Sequence, residues 1–137
     1  PFINQTLNKN LIDLGFPDQV ELKSDFELRV IVGPHEAQYG ACSEGEKWRI
    51  KMAFVFMWKT LARLKNSIST NLLVLDEAIS SSIDAAGITD FMSFLRYNTK
   101  DDNIFVVSHS SDIISNFQFD KTHQVRKVAR LTQTSEE

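Results

Sequence analysis

Two adjacent acids close an unbroken apolar run in Leu72-Leu73-Val74-Leu75-Asp76-Glu77. Four apolar residues bounded by polar ones read as a strand covered on both faces, and such strands build parallel sheets. In open α/β sheets, ligands bind beyond the carboxyl ends of the strands, which is where these acids fall. The chemistry that suits the pair is phosphoryl transfer. The first acid can hold hydrated Mg²⁺, and the second can orient and deprotonate the water that attacks a γ-phosphate. This is a Walker B pattern, and alone it is unspecific, because any buried strand can end in solvated acids.

Further polar groups raise its specificity. Asp84 stands seven residues after Glu77 in Ser80-Ser81-Ser82-Ile83-Asp84, and His109 follows a second apolar run in Val106-Val107-Ser108-His109. If the two runs are adjacent parallel strands, Asp76, Glu77 and His109 share one rim of the sheet. Upstream, Cys42-Ser43-Glu44-Gly45-Glu46-Lys47 opens a long apolar-periodic segment. Ser43 with Glu46 three residues on is a capping box, which would start a helix and do nothing else. The same geometry also presents unpaired amides and the positive end of a helix dipole, which is an anion site.

The elements that must position these groups follow from periodicity. After Ser43, Ile50, Ala53, Phe54, Met57, Leu61 and Leu64 line one face of a helix. Trp48, Met52 and Val55 add a second apolar stripe, and Lys47, Lys51, Lys59 and Lys65 are expected in solvent. A second helix is expected from about Asp84 to Leu95, with Ile88, Phe91, Met92 and Leu95 inward, followed by a strand over Ile104 to Val107. Strand, helix, strand implies a right-handed crossover. Ahead of these, Asn4 to Leu14 reads as a short helix stopped by Gly15-Phe16-Pro17, and Phe26 to Val32 alternates like a half-buried strand ended by Gly33-Pro34. His123 to Leu131 is expected as an edge strand and Thr132 to Glu137 as a frayed tail.

Composition bounds the partners. The 137 residues, 42% of them hydrophobic, suit one domain with a filled core. With 15 Lys and Arg against 18 Asp and Glu, the net charge of -3 offers no global attraction for nucleic acid or an anionic membrane. Any DNA contact would be local, through the phosphate backbone and without sequence specificity, from Lys47, Arg49 and Lys51 or from Lys121, Arg126, Lys127 and Arg130. A solvated surface is the more ordinary explanation of those charges. Cys42 is the sole cysteine, so no intrachain disulfide or thiolate cluster forms, and a reducing cytoplasmic setting fits. The longest apolar run, Met52 to Trp58, is far short of the roughly 20 residues of a membrane span. Pro1-Phe2-Ile3-Asn4-Gln5 has neither an initiator Met nor a signal pattern, so further sequence is expected upstream.

Taken in order, the four elements resemble the ABC-type ATPases, specifically the SMC-like branch of DNA recombination and repair, over Gly40 to about Asp112. The signature there reads Leu-Ser-Gly-Gly-Gln or Glu. Ser43, Gly45 and Glu46 match it, while Cys42 replaces the Leu and Glu44 the first Gly. The segment from Asp76 to Asp84 is one residue longer than the common family spacing. Ser81-Ser82-Ile83-Asp84, with Glu46-Lys47 and Arg49-Ile50, is similar to the large subunits of tailed-phage recombination endonucleases.

The resemblance implies an α/β C-terminal lobe of an ATPase head occupying residues 1–137. Residues 1–17 would be the end of a returning coiled coil with its turn, and 43–112 the signature, Walker B, D-loop and switch-histidine region. It further implies that Ser43, Gly45 and Glu46 engage ATP of the opposite subunit, that Asp76 supports Mg²⁺, and that Glu77 is the general base. Asp84 would communicate across the dimer, and His109 would sense the γ-phosphate. The implied partners are an N-terminal P-loop lobe, a second head in a head-to-head homodimer around ATP, a metal-dependent nuclease subunit and DNA, in the host cytoplasm if the source is a phage. No Gly-x-x-x-x-Gly-Lys-Ser/Thr occurs, and none of Gly15, Gly33, Gly40, Gly45 and Gly87 precedes a Lys, so the triphosphate cradle must come from elsewhere.

Three other readings stay open on sequence. A cysteine-dependent phosphatase would use Cys42, although Cys-x₅-Arg places Trp48 where Arg is needed and Arg49 is one residue off. A non-catalytic structural or regulatory ATPase relative would keep the fold without the chemistry. The nucleotide-binding subunit of an ABC transporter shares every motif.

Overall fold

The computed structural model describes residues 1–65, 70–79, 83–128 and 131–136. In chain order these form α1 (Phe2–Asp13), β1 (Gln19–Leu22), β2 (Leu28–Val32), β3 (His35–Gln38), a short 3-10 turn (Tyr39–Ala41), α2 (Glu44–Lys65), β4 (Leu72–Asp76), α3 (Ala85–Asn98), β5 (Asn103–Val107), α4 (Ser111–Asn116), β6 (His123–Val128) and β7 (Leu131–Glu136). Among the described residues β1, β2 and β3 make an antiparallel meander, β4 and β5 a parallel pair, and β6 and β7 an antiparallel hairpin.

The core is built where α1, α2 and α3 meet. Leu7 and Leu11 of α1 and Ile50, Ala53, Phe56 and Met57 of α2 are buried together with Phe91, Phe94 and Leu95 of α3. Edge-on ring contacts join Phe91 to Trp48 at 4.9 Å between centroids, and Phe56 to Phe94 at 4.7 Å. Aromatic edges meeting faces add to the area they bury.

Helix α1 also closes the free edge of the meander. Asn8 gives its amide N–H to the Val20 carbonyl and accepts from the Val20 N–H, both at 2.8 Å. One turn earlier Asn4 makes the same reciprocal pair with Leu22, at 3.2 and 2.9 Å. Asparagines four apart on a helix face thus satisfy alternate backbone groups of β1, a row that an uncovered edge would leave unpaired. Asn10, buried, donates to the Ala53 carbonyl at 3.2 Å and ties α1 to α2.

Several expectations are corrected. The strand expected from Phe26 begins at Leu28, because Phe26 lies in the turn with φ of 67° and its side chain is exposed. Strands β1 and β3, not foreseen, flank it. The expected frayed tail instead forms β7 up to Glu136, with His123 opposite Glu136 and Val128 opposite Leu131. On α2, the second apolar stripe fails beyond Met52, since Val55 and, on the first face, Leu64 are exposed. Lys59, expected in solvent, is largely buried against the fully buried carboxylate of Asp102, which Arg63 also holds at 2.6 Å.

The parallel pair agrees with expectation in direction and adjacency, and its register sets Leu73 opposite Ile104 and Leu75 opposite Val106. It differs in burial. Leu73, Leu75, Ile104 and Val106 turn to the core, but Leu72, Val74, Phe105 and Val107 on the other face are each about half exposed. The strands are therefore covered on one face only.

Candidate active site

The rim of the parallel pair holds the first cluster. Asp76 ends β4 opposite Val107, which ends β5, and the Glu77 N–H extends the ladder by donating to the Val107 carbonyl at 2.9 Å. There the chain turns sharply, because Glu77 adopts φ of 47°. A left-handed backbone at a residue with a side chain costs on the order of 1–3 kcal/mol and persists only where its surroundings over-determine it. The turn brings the Glu77 carboxylate within 3.6 Å of His109 Nε2, with the imidazole almost wholly exposed and the carboxylate half exposed. Asp76 is exposed beside them. A carboxylate that accepts protons, an imidazole that can donate and a second carboxylate thus face one open rim, as the spacing required.

The second cluster is the start of α2. Ser43 donates its backbone N–H to the Glu46 carboxylate at 2.7 Å, and the Glu46 N–H returns to Ser43 Oγ at 3.3 Å, a complete capping box. These bonds from Ser43, backbone first, hold the Glu46 carboxyl below its usual range. The box uses a lone pair of the Ser43 hydroxyl and leaves its proton for an acceptor beyond the helix end. Gly45 lies in the first turn. Glu44, where the signature has Gly, bonds along the helix to Lys47 at 2.9 Å, which lowers the Glu44 pKa and raises that of Lys47. The extra carboxylate at this helix start is therefore partnered by a cation.

Asp84 caps α3 by accepting from the Gly87 N–H at 2.9 Å and meets Arg49 Nη2 at 3.4 Å. Ser80, Ser81 and Ser82 lie outside the described residues. Among the described residues, Glu77 and His109 are brought together. The Ser43, Gly45 and Glu46 segment makes no hydrogen bond or ion pair with them or with Asp76. The two clusters thus stand apart in the described chain.

Two side chains that sequence reading passed over link these clusters. Trp48 donates its indole N–H to the Ala78 carbonyl at 2.5 Å, and Arg49 donates Nε to the Leu14 carbonyl at 3.1 Å besides meeting Asp84. The available signal was a Trp inside an apolar stripe, whose N–H needs an acceptor once buried. The phosphatase reading fails here. Burial, aided by Glu46, pushes the Cys42 thiol up, whereas a nucleophilic cysteine needs the opposite shift, and Arg49 is committed to Leu14 and Asp84.

No protein-family model matches the chain. In fold it is similar to SMC head domains. The SMC head domain from Thermotoga maritima superposes with a TM-score of 0.69 at 24% identity, over 97% of this chain and 46% of that one. A structure from work on ATP-driven dimerization and DNA-stimulated activation of SMC ATPases gives 0.75 at 18% identity, over 98% and 83%. In sequence the chain is similar to exonuclease subunit 2 of Enterobacteria phage T4, 30% identical over 136 residues, 96% of this chain and 23% of that protein. It is also similar to exonuclease subunit 2 of Escherichia phage RB69, 32% identical over 113 residues, 80% of this chain and 19% of that protein. The chain thus spans less than a quarter of the length of these relatives.

Proposed function

We propose that this chain is the C-terminal half of the ATP-hydrolysing head of an SMC-like recombination and repair nuclease complex, in which ATP-dependent dimerisation controls DNA end processing. The observation that carries the reading is the shared rim, where Asp76, the strained Glu77 and His109 end two paired parallel strands. In this reading Glu77 takes the proton of the attacking water and His109 meets the γ-phosphate. Ser43, Gly45 and Glu46 close on ATP held by the other subunit, and Asp84 faces the dimer partner. Asp76 is the hard oxygen ligand that Mg²⁺ takes together with phosphate oxygens and water, and Mg²⁺ so bound would neutralise charge on the phosphates.

The bare face of Leu72, Val74, Phe105 and Val107, together with the lack of a P-loop sequence, supports a partner lobe that covers the sheet and supplies the phosphate cradle. α1 would then be the end of the returning coil. The phage relatives, each an exonuclease subunit, support a nuclease partner over a transporter, the proposal taking that partner as metal-dependent and the setting as the host cytoplasm; among the described residues no helix is long and apolar enough to cross a membrane. DNA would be met through its backbone only. Of the expected basic run, Lys47 bonds to Glu44 and Arg49 is turned inward, so Lys51 is its exposed member. The non-catalytic alternative drew on Glu44 and on the longer segment from Asp76 to Asp84, and the pairing with Lys47 weakens the first of these grounds.

The test is ATP turnover with and without a P-loop lobe. Alone, the chain is expected to show no micromolar ATP affinity by calorimetry, and joined to the lobe it is expected to release phosphate. Tight ATP binding by the chain alone, or an assembled head that dimerises without turnover, would refute the reading.

A further inference from the structure

We propose that Trp48 and Arg49 are positioning residues that pin the two ends of the D-loop to the signature helix, so that nucleotide held at Ser43 also fixes the backbone of the base Glu77. The proposal rests on the ATPase reading of the same site and adds how one subunit's nucleotide governs the other half-site's chemistry. Trp48 and Arg49 lie five and six residues after Ser43, in the second turn of α2. Consecutive helical residues point about 100° apart, so one helix end reaches two places.

Trp48 reaches the near end of the loop. Its ring is buried edge-on against Phe91, and its N–H bonds to the carbonyl of Ala78, the residue after Glu77. The strained Glu77 is therefore held from both sides, its own N–H on Val107 and the following carbonyl on Trp48. Removing the second restraint lets the turn relax toward an ordinary backbone, which would swing the carboxylate from the rim. Arg49 reaches the far end. Its side chain is 16% exposed and bridges the Leu14 carbonyl, where α1 ends, to the Asp84 carboxylate that caps α3. The approach depends on Gly87, since a Cβ there would lie 2.6 Å from Arg49 Nη2 and 2.9 Å from Asp84 Oδ1. Both ends of the segment from Ala78 to Asp84 thus depend on the helix whose first residues form the anion site.

The test uses the head assembled with its P-loop lobe. Trp48→Phe keeps a ring against Phe91 and loses only the donor. Arg49→Lys keeps the charge and loses the fork that spans Leu14 and Asp84. Each is expected to lower kcat about tenfold, the effect of one hydrogen bond, while KM for ATP and ATP-driven dimerisation stay within about twofold. Adding Trp48→Phe to Glu77→Gln is expected to cost nothing further, because both changes remove the same positioned base; a merely structural role would give additive losses. Turnover retained by Glu77→Gln alone would defeat the ATPase reading itself. If Glu77→Gln is dead but either folded clamp variant turns over at the parent rate, only the clamp is overturned. If Trp48→Phe does not fold, Arg49→Lys decides, and loss of the fold in both would assign the pair a structural role and overturn the proposal.

Discussion

Glu77→Gln, in a head that pairs this chain with a P-loop lobe, is expected to lose phosphate release by about 10² to 10⁴-fold while still dimerising with ATP, because a positioned general base contributes about that much. Gln keeps the size and an accepting oxygen but cannot take the water's proton. Glu77 sits in a left-handed backbone, with its carboxylate at the rim beside His109. Asp76 ends strand β4, and the proposed reading gives it the Mg²⁺-ligand role instead. Asp76→Asn should therefore weaken Mg²⁺-dependent nucleotide binding as well as turnover, whereas Glu77→Gln spares binding. Steady-state phosphate release and size-exclusion chromatography with ATP separate the two. Near-parent turnover in Glu77→Gln would remove it as the base and favour the non-catalytic relative.

The largest effect on stability is expected at Phe91. Its side chain is fully buried at the junction of the helices, in edge-on contact with Trp48 and, at 6.5 Å between centroids, with Phe56. Phe91→Ala would leave a cavity between α2 and α3 and cost about 3–5 kcal/mol, against a total of about 5–15 kcal/mol for a typical domain. Tyr97, on the same helix but exposed, is expected to change stability by less than about 0.5 kcal/mol when replaced by Ala. Urea midpoints at unchanged slope measure both. A loss below about 1 kcal/mol at Phe91 would mean the helices do not meet as described.

What the sequence disclosed was chiefly what is local. The box of Ser43 and Glu46, the periodic face of α2 and the two strand runs Leu72 to Leu75 and Ile104 to Val107 follow from residues within a turn or strand of one another. The meander was mostly hidden. Gln19-Val20-Glu21-Leu22 is too short to show alternation, and its outer edge is completed by Asn4 and Asn8 from another element. Depth was hidden too. Arg49 and Lys59 carry charges that sequence assigns to solvent, yet both side chains are largely buried, Lys59 against the buried Asp102 and Arg49 reaching the exposed Asp84, and long side chains of this kind bury their stems readily. The apolar runs gave the strands but not which face lies bare, because a face waiting for another lobe has the same composition as one already covered. The strain at Glu77 left no mark in residue type.

The most direct measurement is steady-state phosphate release by the assembled head as a function of protein concentration, with Ser43 intact and with Ser43→Arg. Ser43 stands at the open end of α2, apart from the rim that holds Glu77 and His109. If its partner is ATP on a second subunit, specific activity rises with protein concentration as dimers form, and Ser43→Arg abolishes both turnover and ATP-driven dimerisation while each head still binds nucleotide. Turnover that is independent of concentration and untouched by Ser43→Arg would contradict it.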